Sequence, residues 1–88
     1  MPRDVVVVRD RPVSDYVLNV IMLFNSGSEE VELVGRGMYI SKAVAVFNAL
    51  RDRLEETLKV IDVEIGSEVR GRSHRRVPYI KFRLTQGL

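Results

Sequence analysis

A chain of 88 residues with 45% apolar content suffices for one compact domain over residues 1–88 and leaves too little for a second core. The absence of cysteine excludes disulfide frameworks, thiolate metal sites and cysteine nucleophiles, and a single histidine, His74, makes metal chemistry poor. The net charge of +2 does not by itself mark a polyanion binder, and the 11 arginines against 3 lysines fit either bidentate recognition of phosphate or carboxylate, or a heat-adapted or GC-rich source.

Met1 to Arg11 carry three arginines and two aspartates around a four-valine run, far too short for a signal-peptide core or a membrane span. A soluble chain with no membrane partner is expected. Val5 to Val8 have the β-branched composition of a short buried strand, which predicts strand one over about Arg3 to Arg9. Pro12 suits the first position of a helix, and Val13, Val17, Val20, Ile21 and Phe24 recur at the spacing of one apolar helical face. Helix one ends near Phe24, where Asn25-Ser26-Gly27 supplies a stop. Glu30 to Val34 alternate as a half-exposed strand two, closed by a Gly35-Arg36-Gly37 turn.

Helix two follows from about Tyr39 to Leu54, with Ile40, Ala43, Val44, Phe47, Leu50 and Leu54 on one side. Ala45, Val46 and Ala49 extend its apolar surface beyond one stripe, which suits a self-association face, or reflects only the helix propensity of alanine. Ile61, Val63 and Ile65 alternate with Asp62 and Glu64, and Ile80, Phe82 and Leu84 alternate with Lys81 and Arg83, giving strands three and four. Pro78 fits near a strand start or at an edge, so strand four begins around Val77 and a basic loop of about ten residues separates the two strands. The order βαβαββ predicts an α+β two-layer sandwich: a mixed four-stranded sheet, two helices on one face and a long β3-β4 hairpin arm.

Charge is segregated along this chain. Residues 70 to 76 contribute four positive charges, so the other 81 residues sum to −2, and the stretch from Asp52 to Glu68 alone carries −4. Arg70, Arg72, Arg75 and Arg76 at a hairpin tip are positioned to approach phosphates from a thin extended element, although an exposed loop kept soluble by charge is the plainer alternative. Gly71 serves either tip flexibility or an ordinary turn, and His74 is a hydrogen-bonding or stacking contact in preference to a catalyst or ligand. Free amides at the start of helix two, with Arg36 and Lys42, would hold a phosphate. The aromatic side chains lie mostly on apolar stripes, with Tyr39 and Tyr79 as the candidates for other roles.

Pro12 to Leu18 (PVSDYVL), Gly35 to Val44 (GRGMYISKAV) and Ile65 to Glu68 (IGSE) together resemble the Alba family of archaeal chromatin and RNA-binding proteins over nearly the whole chain. The resemblance implies a dimer whose second helices and last strands meet, drawing on Val46, Phe47, Ala49, Leu50, Leu54 and Phe82. It also implies two hairpin arms lying along the minor groove of a duplex, and a chromosome-associated, cytoplasmic location. Arg11 and Arg36 match basic positions of the family. Asp10 replaces a basic residue of the pair before Pro12, Met38 stands in place of a second turn arginine, and Leu54 occupies a position that is often aromatic. Control by lysine acetylation at that pair is therefore not carried over, and cooperative coating of DNA by this chain alone is expected to be weaker, with a typical paralogue as a natural partner.

The expected partners are double-stranded DNA and RNA, with a homodimer or a heterodimer as the binding unit. A mainly RNA-binding ribonucleoprotein subunit and an interaction module for an acidic protein are the alternatives. Enzymatic activity is not expected and no cofactor or metal is implied. The pairs Glu29-Glu30 and Glu55-Glu56 point apart in polar segments with no ligand cluster beside them.

Overall fold

A computed structural model describes residues 3–87, so Met1, Pro2 and Leu88 of the sequence lie outside the described residues. β1 (Arg3–Val7) leads through a short loop to α1 (Val13–Asn25), followed by β2 (Glu30–Arg36), a single 3₁₀ turn (Gly37–Tyr39) and α2 (Ile40–Leu54). A second 3₁₀ turn (Glu55–Thr57) precedes β3 (Leu58–Arg70), which pairs with β4 (Arg75–Gln86). The sheet has the order β1-β2-β4-β3, with β1 parallel to β2 and the other two pairs antiparallel. The architecture is the α+β arrangement read from the sequence, with both helices on one face of a mixed sheet.

Period-two alternation explains which strand residues meet the helices. Val6 and Val8 of the first strand segment, Val31 and Leu33 of β2, and Phe82 and Leu84 of β4 are all at most 5% exposed and join one core with Val17, Val20, Phe24, Ala43, Val46 and Leu50. Burying each such side chain stabilises the fold by about 1.5–3 kcal/mol before conformational entropy is set against it. The opposite face carries Arg3, Glu30, Glu32 and Arg83, whose ion pairs span 3.6–3.7 Å. Those pairs are partly exposed and contribute little beyond holding that face polar.

Local chemistry sets the helix ends. Pro12 is the N-cap of α1 and not its first helical residue, because ψ 152° leaves it extended and the following residues begin the turn. Gly27 ends that helix region with φ +100°. Gly35 lies inside β2 instead of in a turn. A Cβ there would sit 2.6 Å from both Ala43 Cβ and the Tyr39 carbonyl oxygen, so its missing side chain is what lets the start of α2 lie against the strand. Gly37, at φ +56°, supplies the turn itself.

Three expectations change. The ten-residue loop between β3 and β4 is a four-residue turn over 71–74, because paired backbone continues through Gly66↔Tyr79 and Glu68↔Val77 to Arg70↔Arg75. Both faces of that ribbon are solvated, so no hydrophobic period announced it. Pro78 falls where β2 has already ended at Arg36↔Tyr79, leaving β4 a free edge that tolerates a missing donor. Second, Val46, Leu50 and Phe82 are 0%, 0% and 5% exposed, packed inside this chain's own core and not displayed for a partner. Phe47 stacks on Phe82 at a centroid distance of 4.6 Å, Ala49 faces Val13 and Val17 of α1, and Leu54 is half-buried against the core. Third, Val63 and Ile65, which alternate as core residues should, are 47% and 76% exposed. The two helices cover β1, β2 and the neighbouring part of β4, and the apolar side of β3 extends beyond them.

Candidate functional site

The hairpin of β3 and β4 runs past the end of β2 and gives the molecule its long dimension, 44 Å against 28 and 19 Å. Its tip turns through Gly71 at φ +77° and His74 at φ +54°, closed by the His74 amide donating to the Gly71 carbonyl at 3.2 Å. A positive φ at His74 is uncommon for a side-chain-bearing residue and fixes the reversal that sends Arg75 and Arg76 back along β4. Arg70, Arg72, His74, Arg75 and Arg76 are all exposed. Arg76 Nη1 donates to Ser67 Oγ across the ribbon at 3.1 Å.

At the arm's base a different arrangement holds. Arg36 Nε donates to Glu68 Oε1 at 2.6 Å, and Arg70 Nη1 reaches the same oxygen at 3.4 Å. Two guanidinium groups, from β2 and from the arm, thus converge on one carboxylate that is itself a third exposed. The hydrogen bond from Arg36 holds the Glu68 carboxyl below its ordinary range, with the positive charges of Arg36 and Arg70 acting in the same direction against desolvation.

The loop after β1 is tied down by groups from three elements. The Tyr16 hydroxyl accepts the Arg9 and Arg11 amides at 2.7 and 3.2 Å, and Lys42 Nζ donates to the Arg9 and Arg11 carbonyls, each at 2.9 Å. The Tyr39 hydroxyl donates to Asp10 Oδ1 at 2.5 Å, which raises the Tyr39 phenol above its ordinary value because ionisation would break that bond. Lys42 thus spends two of its three donors on backbone carbonyls and shapes the loop that presents Arg9 and Arg11, with its third donor still available for the helper role at a phosphate expected of it. The Arg11 side chain lies against Asp15 at 3.4 Å.

Between this loop and the arm's base opens a cleft of about 350 Å³ lined by Arg9, Asp10, Arg36, Tyr39, Arg70 and Val77, among others. Arg36 and Arg70 therefore share one site, whereas Arg72, His74, Arg75 and Arg76 occupy the outer arm. Arg9 belongs to the cleft and was not singled out from the sequence; its place at the carboxyl end of the first strand, opposite the end of β2, is the signal that would have found it. Tyr79 covers Gly66 on the sheet face and donates to Glu64 at 2.5 Å, so its phenol too is raised, principally by that bond. Met38, in the turn beside Arg36, is 83% exposed. Among the described residues no group of three metal-ligating side chains comes together, and no helix is long and apolar enough to cross a membrane.

A mixed sheet backed by two helices, with a guanidinium-bearing ribbon projecting beyond it, defines an α+β chain organised around one basic arm. The chain belongs to the Alba family, whose model matches residues 4–67. It is 51% identical over 81 residues to DNA/RNA-binding protein Alba 2 of Saccharolobus solfataricus, covering 92% of this chain and 89% of that relative. It is 45% identical over 65 residues to DNA/RNA-binding protein Alba of Methanothrix thermoacetophila, with 74% and 73% covered. The structure of Alba from Thermoplasma volcanium superposes with a TM-score of 0.83 at 27% identity, covering 94% of this chain and all of the other.

Proposed function

We propose that this chain is an architectural nucleic-acid-binding protein that grips the sugar-phosphate backbone of duplex DNA, and of RNA, with little sequence preference. The observation that carries the reading is the outer arm: Arg72, Arg75 and Arg76 are exposed on a two-stranded ribbon, thin enough to follow a minor groove. The relatives named above as DNA/RNA-binding proteins support the same ligand class. Phosphate contacts of this kind confer affinity without reading bases, because every nucleotide presents the same oxyanion.

Dimerisation completes the proposal. Val63 and Ile65 expose apolar surface beside Ile40 and Ile80, and a second subunit covering that strip would remove it from water and carry a second arm to the ligand. Of the interface residues implied by the family resemblance, Phe47, Ala49 and Leu54 are half-buried and keep surface that a partner could cover, whereas Val46, Leu50 and Phe82 are at most 5% exposed in this chain's own core. A single domain acting in the cytoplasm in association with the chromosome, and without catalytic activity, is the corresponding cellular reading.

The test is a titration of random-sequence duplex DNA at several salt concentrations. A dimer making roughly six to nine phosphate contacts should lose affinity with a log-log slope of about −5 to −8. Replacing Arg70, Arg72, Arg75 and Arg76 together by alanine should flatten the slope and weaken unrelated sequences equally while the circular dichroism stays unchanged; a flat salt profile in the unaltered chain refutes the reading. An RNA-directed role is the second reading, favoured by the DNA/RNA names of the relatives, and competition between the two polymers at one salt concentration ranks them.

A further inference from the structure

Within the basic surface, the arginines differ in what they face. Those of the outer arm meet solvent or Ser67, but Arg36 and Arg70 both meet Glu68, through a single oxygen, at the junction where the arm leaves the body. Arg36 lies on β2 and Glu68 on β3, 32 residues apart, so the fold and not chain proximity makes this pairing. β4 lies between them in the sheet, and the two side chains meet across it.

We infer that Glu68 is an internal stand-in for a backbone phosphate: its Oε1 occupies the place between Arg36 and Arg70 that a phosphate oxygen of the ligand takes on binding. This rests on the nucleic-acid reading above and names a residue that sets its strength. A guanidinium group binds carboxylate and phosphate oxygens through the same forked donors, so the two anions compete for one position. Both partners are only partly buried, the arginine side chain 26% exposed and the glutamate 33%, so the pair is screened by solvent and exchanges with an incoming anion. Glu68 cannot stay in place beside a phosphate, since two anions would then share the same donors; the side chain must swing out and leave its negative charge close to the ligand. The carboxylate thereby lowers the grip of the arm's base and leaves the outer arm to make the first contact.

Glu64 provides an internal control. It is on the same strand, two side chains away on the same face, but accepts from the Tyr79 hydroxyl and is paired with no arginine among the described residues. Glu64→Gln removes the same formal charge without freeing Arg36.

The experiment titrates random-sequence duplex DNA, across a range of potassium chloride concentrations, into the full unaltered chain and its Glu68→Gln, Glu68→Ala and Glu64→Gln variants, with circular dichroism confirming each fold. Both Glu68 variants are expected to tighten low-salt binding roughly fivefold per arm, the upper range of one exposed charge pair, with Glu64→Gln changing it by less than about twofold. They should also steepen the salt slope by about one for each arm, because the released carboxylate no longer recruits a cation as others are expelled. Salt-dependent binding that Glu68→Gln leaves equal to Glu64→Gln, or weakens, overturns this inference alone and makes Glu68 an orienting partner of Arg36. Salt-independent binding by the unaltered chain overturns the phosphate reading and this inference together.

Discussion

Replacing Gly35 by alanine adds one methyl group at the most crowded glycine of the fold, and its cost follows from distances. The new carbon would lie 2.6 Å from Ala43 Cβ and 2.6 Å from the Tyr39 carbonyl oxygen, with the Tyr39 carbonyl carbon at 3.2 Å. Ordinary contacts at these atoms need about 3.5–4 Å, so α2 would have to withdraw from β2 by close to 1 Å at its first turn. Two of the three obstructing atoms belong to backbone, and Ala43 is fully buried, so no flexible side chain can yield. Overpacking of this kind costs about 1–3 kcal/mol, and a backbone obstruction belongs at the upper end. For a domain of this size, about 3 kcal/mol lowers the midpoint of thermal unfolding by roughly 12–24 °C. Scanning calorimetry at fixed protein concentration measures it, with Gly27→Ala as comparison. Gly27 has φ +100° but nothing within 4 Å, so that variant suffers backbone strain alone, on the order of 1 kcal/mol. A Gly35→Ala midpoint equal to that of Gly27→Ala would refute the argument that close approach, and not turn freedom, requires glycine at 35.

Two further outcomes follow from the same geometry. Lys42→Met keeps the alkyl stem but removes both donors to the Arg9 and Arg11 carbonyls, so amide exchange at residues 9–11 should quicken markedly while the core amides of β2 stay protected; equal protection in both chains would show that Tyr16 and Tyr39 alone hold the loop. Tyr39 and Tyr79 both have phenols raised above the ordinary 10.0 by hydrogen bonds to Asp10 and Glu64. Their contribution to stability is complete below the unfolded value and is lost as pH rises through the higher folded value, so the phenolate absorbance of Tyr39 and Tyr79 should appear late, and Asp10→Asn should bring Tyr39 down.

Much of the fold was legible because its signals are local. Apolar spacing in Val13, Val17, Val20 and Phe24 marked the buried face of α1, and the alternation of Phe82 and Leu84 marked the core face of β4. Local signals failed where the environment, and not the pattern, decides burial. Val46 was read as surplus apolar surface, yet the face of α2 that meets the sheet is centred on Ala43, Val46 and Leu50. Within the expected hairpin arm, the sequence pattern makes the connecting loop about ten residues long, because a ribbon solvated on both sides has no hydrophobic period, although the backbone pairs continuously to Arg70 and Arg75. Glu68 stands in the IGSE motif, but nothing in the sequence pairs it with Arg36, 32 residues away.

Composition and order alone determined the element sequence, the absence of thiol chemistry and the concentration of positive charge in residues 70 to 76, since each depends on residue identity and near neighbours. Tertiary structure decided which arginines are free and which are occupied, because Arg36, Glu68 and Arg70 meet only after β2 and β3 are arranged on either side of β4. It also decided that Val63 and Ile65 stay uncovered, since two helices of 13 and 15 residues span too little of a four-stranded sheet to shield its last strand.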